Sequence, residues 1–378
     1  MKIAIEAQRI FRKEKHGMDY VALETIRELQ KIDRQNEYFI LVSPGEDVCL
    51  QESANMHIIP VRCPSYPLWE QIGLPLALKK IKPDLLHCTS NTAPLFCNIP
   101  LVLTLHDIIF LENKRGKNQS LYQNLGRYYR RIVVPRILPK CRRIITVSRF
   151  ECEHISEFLH LDRETLTAVY NGYSAHFRPI ENPYKTTSKY LADRQYLFFL
   201  GNTDPKKNTA NVLQAYAIYL EKSRHPLPLL IADLKEAVIH EYLQELKLTP
   251  IKKMLRYPGY IPNTELPAIY SGASAFIYTS LRESFGIPIL ESMACGTPVI
   301  TSSTSAMPEI AGTDGMLVNP YKAEEIADAI LWLEEDPEYN KAQVDYGLER
   351  VKQFSWENTA KGVLKIYEEI VCHHTEMK

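Results

Sequence analysis

Glu283-Ser-Phe-Gly-Ile-Pro-Ile-Leu-Glu291 decides the fold, because it has the pattern of a turn between a buried strand and a helix. The apolar run Ala275–Tyr278 before it predicts the strand. Pro288 suits the first turn of a helix, where its missing N–H costs no hydrogen bond. The spacing places Glu283 on the loop and Glu291 one turn inside the helix. Free N–H groups at the helix start and two carboxylates would suit a ligand that carries phosphates and sugar hydroxyls.

Strand-like apolar runs alternate with amphipathic stretches along the whole chain, which predicts an α/β architecture of two successive doubly wound parallel sheets. In the first half, the runs that predict strands are 3–7, 38–43, 57–61, 85–89, 101–106, 144–148 and 168–171. In the second half, they are 196–201, 227–233, 254–257, 275–278, 299–301 and 316–318.

A chain of 378 residues has the length of two ordinary domains, each able to bury its own core. Pro179, Pro183 and the polar run Thr186-Thr187-Ser188 interrupt the periodicity and predict the domain break around 171–193. The last apolar-periodic stretch, 356–371, predicts a long terminal helix.

The composition, with 45% apolar and 24% charged residues, is typical of globular proteins. The chain enters a predicted strand at its first residues, so we expect no secretory signal and a cytoplasmic location. Eight cysteines without a C-x-x-C pair favour reduced thiols over a disulfide framework or a zinc site. Since no D-x-D motif or His/Cys cluster is present either, we expect no metal and no other cofactor.

The basic residues are unevenly distributed, although the formal net charge is zero. Residues 1–178 carry 25 Lys and Arg against 19 Asp and Glu, and the remainder carries 20 against 26. Within residues 113–143 ten basic residues occur without an acidic one, interleaved with aromatic and aliphatic side chains. Such a segment can lie on anionic lipid, bind an acceptor that bears a pyrophosphate, or simply form a helix with a solvated basic face. Nucleic acid is not expected, because nothing else resembles a nucleic-acid module.

Residues 283–291 and their flanks resemble the E-x7-E signature of the retaining family 4 glycosyltransferases, which have the two-domain GT-B fold. The flanks that carry the resemblance are Tyr278-Thr-Ser-Leu281, Met293-Ala-Cys-Gly-Thr-Pro-Val-Ile300 and Ser305-Ala-Met-Pro-Glu-Ile-Ala-Gly312. The resemblance implies two Rossmann-like domains that face each other across a cleft. It places an acceptor-side domain at residues 1–175 with the terminal helix 357–378, and a domain that binds the nucleotide sugar at 176–356.

The resemblance also implies roles for polar residues in the second domain. Glu283, with the backbone N–H groups of Phe285 and Gly286, would contact hydroxyls of the donor sugar, and Glu291 would bind the ribose. The loop Gly201-Asn-Thr-Asp-Pro-Lys-Lys207 has the composition of a phosphate cradle, and Lys207 matches the family lysine that stabilises the departing pyrophosphate. The family often has an arginine after the glycine. Here that residue is Asn202, so Lys206 is a candidate to supply the missing charge.

Two candidates lie in the first domain. His106 follows the strong strand 101–105, at the end where open α/β sheets bind ligands, and it resembles the family histidine near the reacting carbon of the donor sugar. Gly17 stands in the loop before the first helix, where relatives usually have two or more glycines that approach the donor phosphate and the acceptor.

These features favour a retaining hexosyltransferase that uses a nucleotide diphosphate sugar and acts on a glycan or lipid-linked acceptor in surface polysaccharide assembly. The resemblance is to bacterial mannosyltransferases, which favours mannose and GDP-mannose, with a UDP-hexose as the alternative. A peripheral position on the inner face of the membrane, through residues 113–143, is consistent with this function. Two other interpretations stay open: a sugar-nucleotide epimerase of similar fold, and a degenerate glycan-binding protein without catalysis.

Overall fold

The computed structural model describes residues 1–112 and 121–376, and these residues form two compact units. Unit 1 comprises Met1–Asn171 and the C-terminal helix from Trp356, and unit 2 comprises Gly172–Ser355. The units therefore divide at 171/172 and 355/356. The sequence predicted these divisions at 175/176 and 356/357.

Unit 1 contains a sheet of seven parallel strands. In chain order the strands are β1 (Lys2–Glu6), β2 (Glu37–Val42), β3 (Met56–Pro60), β4 (Leu85–Cys88), β5 (Leu101–Thr104), β6 (Cys141–Thr146) and β7 (Leu166–Ala168). Their order across the sheet is β3-β2-β1-β4-β5-β6-β7. The direction of winding reverses between β1 and β4, which is the switch point where such sheets bind ligands.

Helices cover both faces of this sheet. They are α1 (Gly17–Ile32), α2 (Tyr66–Leu68) continued by a π-helical turn (Trp69–Gly73), α3 (Leu74–Ile81), α4 (Leu121–Ile137), α5 (Arg149–Leu159) and, at the end of the chain, α14 (Trp356–Glu376). Alternate strand residues serve opposite faces. Ile3 and Ile5 pack with α1 and α14, whereas Ala4 packs with α3, α4 and α5.

Unit 2 repeats the design with six parallel strands. They are β8 (Leu197–Leu200), β9 (Leu229–Ala232), β10 (Leu255–Gly259), β11 (Ala275–Tyr278), β12 (Val299–Ser302) and β13 (Met316–Val318). The helices are α6 (Tyr184–Thr187), α7 (Thr209–Lys222), α8 (Glu236–Glu245), α9 (Leu266–Gly272), α10 (Ile287–Ala294), α11 (Met307–Ala311), α12 (Ala323–Glu335) and α13 (Pro337–Arg350). The strand order β10-β9-β8-β11-β12-β13 places the switch point between β8 and β11.

Helix α14 belongs to unit 1 because its buried face completes that core. The Tyr367 hydroxyl lies 2.6 Å from Nδ1 of His87 on β4, and Nε2 of the same ring lies 2.7 Å from the Thr104 hydroxyl. Burial lowers the pKa of His87 to about 3, so the ring stays neutral and can bond both hydroxyls. At the other end of the helix Thr359 donates its hydroxyl to the Tyr170 carbonyl (2.7 Å).

The predicted fold class is confirmed, since both sheets are parallel and doubly wound. Every predicted strand overlaps an observed one. The smallest overlap is at β7, which ends at Ala168 rather than 171. Val169 packs in the core against α14 instead, and the Tyr170 carbonyl bonds to that helix.

Replacing Tyr367 by phenylalanine should destabilise unit 1. The change leaves one buried nitrogen of His87 without its partner, which costs about 1–3 kcal/mol. Urea unfolding followed by circular dichroism measures the loss, with Tyr20→Phe on the exposed side of α1 as the matched control. Equal unfolding midpoints for Tyr367→Phe and the control would show that this bond does not hold α14 in place.

Candidate active site

Two loops meet at the switch point of unit 2, where β8 and β11 end side by side. The loop after β8 ends in a 3-10 turn, Pro205–Lys207. The N–H of Leu281 in the loop after β11 donates to the Lys206 carbonyl at 2.7 Å. Asn208 adopts the left-handed conformation (φ 64°) and donates its side-chain amide to the Thr279 carbonyl at 3.0 Å. These bonds fix the two loops to each other, although they are far apart in the sequence.

Lys207 and Glu283 form an ion pair across these loops. Lys207 Nζ lies 2.5 Å from Glu283 Oε1, 3.4 Å from the Tyr278 hydroxyl and 5.3 Å from the centre of the Tyr278 ring. The two side chains are 24% and 13% exposed, so water screens the pair only partly. The site thus offers a cation and a carboxylate within one contact distance, which suits a ligand that carries both an anion and hydroxyl groups.

Ser305 fixes the backbone of Glu283. Its hydroxyl accepts from the Glu283 N–H at 2.9 Å and donates to the Glu283 carbonyl at 3.0 Å. Ser305 itself has a positive φ of 53°, a conformation that residues other than glycine rarely adopt. The loop after β12 therefore holds a strained residue that positions the predicted sugar-binding carboxylate.

Helix α10 begins at the predicted place and carries Glu291 into the interior. Its preceding residue, Gly286, has a φ of 103°, which favours glycine at the turn. Phe285 is buried and packs edge-on against Phe354 with ring centres 6.1 Å apart. Burial raises the pKa of Glu291 to about 7, while the hydrogen bond from the Tyr270 hydroxyl, 3.3 Å away, lowers it.

Gly201 and Lys206 lie in the loop after β8. Contacts within unit 2 explain the glycine at the first position and provide an ionic partner at the second. A Cβ atom at Gly201 would come within 2.5 Å of Leu234 and 2.9 Å of Ile231, so packing alone requires glycine there. Lys206 is partly exposed, and its Nζ lies 3.8 Å from Asp204 Oδ2. Their predicted contacts with a phosphate stay predictions.

His106 lies two residues beyond the end of β5, and its ring is buried. Its Nε2 is 2.9 Å from the Thr89 carbonyl, and its backbone N–H donates to Asn91 Oδ1 at 2.7 Å. Because a carbonyl can only accept, Nε2 carries the proton and Nδ1 keeps a lone pair. Burial lowers the pKa of His106, while the Thr89 carbonyl and the carboxylates of Asp107 and Asp19 act in the opposite direction. The ring is therefore neutral and held in one orientation.

Gly17 begins α1 and is exposed. A Cβ there would meet no atom of the described residues within 4 Å, so packing does not require glycine. The approach of a ligand to this backbone stays a prediction.

The basic stretch 113–143 is described only from residue 121, since 113–120 lie outside the described residues. Helix α4 buries Val133, Val134 and Ile137 against the sheet. Its arginines bind the segment before the undescribed residues: Arg127 donates to the carbonyls of residues 110 and 112, and Arg131 to that of 111. Leu125 and Tyr128 remain 68% and 65% exposed.

Among residues 1–112 and 121–376, no group of three or more His, Cys, Asp or Glu side chains is placed to hold a metal ion. In the same part of the chain, no helix is both long and apolar enough to cross a membrane.

Sequence reasoning missed the residues that position the site rather than form it. Ser305 and Asn208 act through bonds to distant loops, and their positive φ angles cannot be read from composition. Only the segment 305–312, which resembles the family, pointed to the first of them. Asp19 and Asn91, close to His106, were also not singled out.

Two doubly wound parallel sheets with polar side chains at their carboxyl edges define the GT-B class of fold, and comparison with known proteins agrees. The family called Glycosyl transferases group 1 matches residues 185–350, and Glycosyltransferase Family 4 matches residues 16–177. The chain therefore belongs to the family 4 glycosyltransferases.

The curated relatives are similar to this chain over only part of their own length. The O-antigen chain mannosyltransferase B of Escherichia coli is 30% identical over 235 residues, which are 61% of this chain and 61% of that protein. The serotype-specific mannosyltransferase WbdA of Escherichia coli is 22% identical over 307 residues, or 77% of this chain and 37% of that protein. The chain thus spans less than two thirds of these relatives.

Solved structures agree over nearly the full chain. Sucrose-phosphate synthase from Thermosynechococcus elongatus has a TM-score of 0.76 at 19% identity, covering 98% of this chain and 99% of that one. HepE of Anabaena, solved with UDP-glucose, has a TM-score of 0.71 at 16% identity, covering 98% and 100%. At these identities the likeness shows the fold.

The buried carboxyl of Glu291 should make the stability of unit 2 depend on pH. Its folded-state pKa of about 7 lies above its ordinary value of 4.5, so its proton stabilises the fold fully below pH 4.5, and this contribution is lost as the pH rises through 7. Glu291→Gln removes this dependence. The stability of the variant relative to the wild type should therefore rise by about 2–3 kcal/mol between pH 5 and pH 8.

Urea unfolding at pH 5, 6.5 and 8 measures this difference, with the exposed Glu335→Gln as control. A difference between Glu291→Gln and wild type that stays constant across these pH values would contradict the raised pKa.

Proposed function

We propose that this protein is a retaining hexosyltransferase that moves mannose from a nucleotide diphosphate sugar to a glycan or lipid-linked acceptor in surface polysaccharide biosynthesis. The observation that carries the proposal is the Lys207–Glu283 pair, 2.5 Å apart at the switch point of unit 2. A sugar nucleotide presents a diphosphate next to sugar hydroxyls, which are the groups that this cation and carboxylate can bind.

In this proposal the diphosphate replaces Glu283 as the partner of Lys207, and the fixed positive charge stabilises the leaving group. Glu283 then accepts hydrogen bonds from hydroxyls of the donor sugar, assisted by the N–H groups of Phe285 and Gly286 at the start of α10. Glu291 binds the ribose, and His106 contacts the donor sugar near its reacting carbon. The proposal requires no metal and no other cofactor.

Mannose is favoured because the two curated relatives above are named as mannosyltransferases. GDP-mannose is accordingly the first donor to test. A UDP-hexose is the alternative donor, supported by the likeness in fold to HepE, which was solved with UDP-glucose.

A thermal-shift panel of nucleotides and sugar nucleotides should identify the donor, since a ligand that binds only the folded state raises the melting temperature. We expect stabilisation by one nucleoside diphosphate and its sugar derivative. Lys207→Ala should weaken that stabilisation and lower turnover about 10²–10³-fold, because a fixed charge at the leaving group is lost. Glu283→Ala should lower turnover with a smaller effect on binding of the nucleotide alone.

Lys222→Ala, on the exposed side of α7, is the matched control. Unchanged turnover in both Lys207→Ala and Glu283→Ala would remove the site assignment. Incubation of a labelled sugar nucleotide without acceptor separates the alternatives, since an epimerised product would contradict transfer.

We propose further that α4 brings unit 1 to an anionic membrane, where a lipid-linked acceptor would be held. Leu125 and Tyr128 are exposed three residues apart on α4, so they lie on one side of it. The helix carries four arginines and no acidic residue. Apolar side chains among cationic ones suit insertion between anionic headgroups.

Flotation with lipid vesicles tests this contact. The protein should float with vesicles that contain phosphatidylglycerol, less so at high salt. It should not float with pure phosphatidylcholine. The double variant Leu125→Glu/Tyr128→Glu should lose flotation, whereas Val48→Glu, equally exposed elsewhere on unit 1, should keep it. Flotation of the double variant at the wild-type level would refute the proposed surface.

A further inference from the structure

Three buried polar side chains gather at the switch point of unit 1. Asp19 lies in the first turn of α1, which follows β1. Asn91 follows β4, and His106 follows β5. Strands β1, β4 and β5 are neighbours in the sheet, so their carboxyl ends open at the same edge. The Asp19 carboxylate is close enough to act on the charge of the His106 ring, and Asn91 contacts the His106 backbone directly.

Asp19 uses one of its two carboxylate oxygens. Oδ2 accepts from the His16 N–H at 2.9 Å and so caps the start of α1. The residue is only 2% exposed, yet its Oδ1 contacts no hydrogen-bond donor among the described residues. A carboxylate oxygen in this position is an unused acceptor.

The side-chain oxygen of Asn91 forms a hydrogen bond, whereas its side-chain nitrogen forms none among the described residues. Oδ1 must be the atom that faces the His106 N–H, because that group can only donate. The amide Nδ2 is therefore a donor, and it is buried in a residue only 1% exposed, with no acceptor among the described residues. The backbone holds the side chain in place, since Asn91 has a φ of 67° and its N–H donates to the Thr104 carbonyl at 3.2 Å.

Glu70 is an example in unit 1 of a buried polar residue whose hydrogen bonds are all made within the protein. Glu70 is also fully buried, but its oxygens accept from four side chains. These donors are Tyr66, Gln71, Thr92 and Tyr129. Buried polar groups in folded proteins are satisfied in this way, so an unused acceptor and an unused donor at one sheet edge require an explanation.

We propose that Asp19 Oδ1 and Asn91 Nδ2 together bind a sugar hydroxyl, or two neighbouring hydroxyls of one sugar. A hydroxyl donates one hydrogen bond and accepts others, so it matches a carboxylate oxygen and an amide nitrogen at the same time. This inference rests on the proposed function. Because unit 2 is assigned the nucleotide sugar there, the expected source of the hydroxyl is the acceptor sugar.

Two substitutions of equal shape test the inference. Asp19→Asn keeps an oxygen for the His16 N–H and converts the unused acceptor into a donor. Asn91→Asp keeps the oxygen for the His106 N–H and converts the unused donor into an acceptor. Each should lower transfer about 10- to 100-fold, the usual effect of one hydrogen bond to a charged or buried group.

The double variant Asp19→Asn/Asn91→Asp should recover most of this loss, because a hydroxyl can turn to accept where it donated before. Because structural effects at neighbouring residues also couple, recovery indicates binding rather than folding only if the melting temperatures of the variants equal that of the wild type. Asp162→Asn is the matched control, as Asp162 caps a turn of unit 1 away from this edge (Oδ1 to Glu164 N, 3.0 Å).

The assay follows release of nucleoside diphosphate from GDP-mannose and UDP-glucose, with and without methyl glycosides of mannose, glucose and galactose. If the hydroxyl belongs to the acceptor, the single variants raise KM for the glycoside more than KM for the sugar nucleotide, and thermal stabilisation by the sugar nucleotide stays at the wild-type level. If it belongs to the donor sugar, KM for the sugar nucleotide rises and hydrolysis falls, but stabilisation by the diphosphate alone is unchanged.

Single variants with wild-type KM values, or a double variant no better than the two losses combined, would overturn the inference. A wild type that responds to none of the three glycosides contradicts the acceptor as the source. A wild type that no nucleotide stabilises and that releases no diphosphate rejects the proposed function itself, together with this inference.

Discussion

The ion pair between Lys207 and Glu283 is the interaction on which the proposed donor site of unit 2 depends. Each partner is held by its own loop. The Leu281 N–H donates to the Lys206 carbonyl and joins the two loops, and the Ser305 hydroxyl bonds the backbone of Glu283. A partly buried charge without its partner is costly, so the pair stabilises this loop arrangement. The loops that carry the two charges are therefore in place before any ligand arrives, so binding requires only that Lys207 and Glu283 exchange partners.

The same topology serves different chemistry in the two units. Each sheet reverses its winding beside its first strand, and each presents side chains there. In unit 2 these are charged and exposed in part, as suits an anionic ligand. In unit 1 they are a neutral histidine, an amide and a single carboxylate, all nearly fully buried. Buried hydrogen-bonding groups discriminate strongly by hydrogen-bond direction, which suits recognition of an uncharged sugar.

Most of the fold could be predicted from the sequence, because buried parallel strands and amphipathic helices leave strong periodic patterns. The start of α10 was predictable from Pro288 and the turn before it. Lys207 and Glu283 could be proposed as site residues from motifs. Ser305, Asn208 and Asn91 could not, because their importance comes from contacts with other loops and from backbone conformations that no local pattern specifies. The close approach of Leu234 also explains why residue 201 is a glycine, which the sequence alone did not suggest.

The position of α14 has a consequence for the order in which the chain folds during synthesis. Unit 1 begins at the first residue, yet its core includes Val363, Ile366 and Tyr367. Unit 2 lies wholly between these two parts of the sequence. The ribosome therefore releases a complete unit 2 before it releases the last piece of unit 1. Until that piece emerges, the part of the first sheet that α14 covers, including His87, is open to water, and the growing chain presents an apolar surface that chaperones can bind.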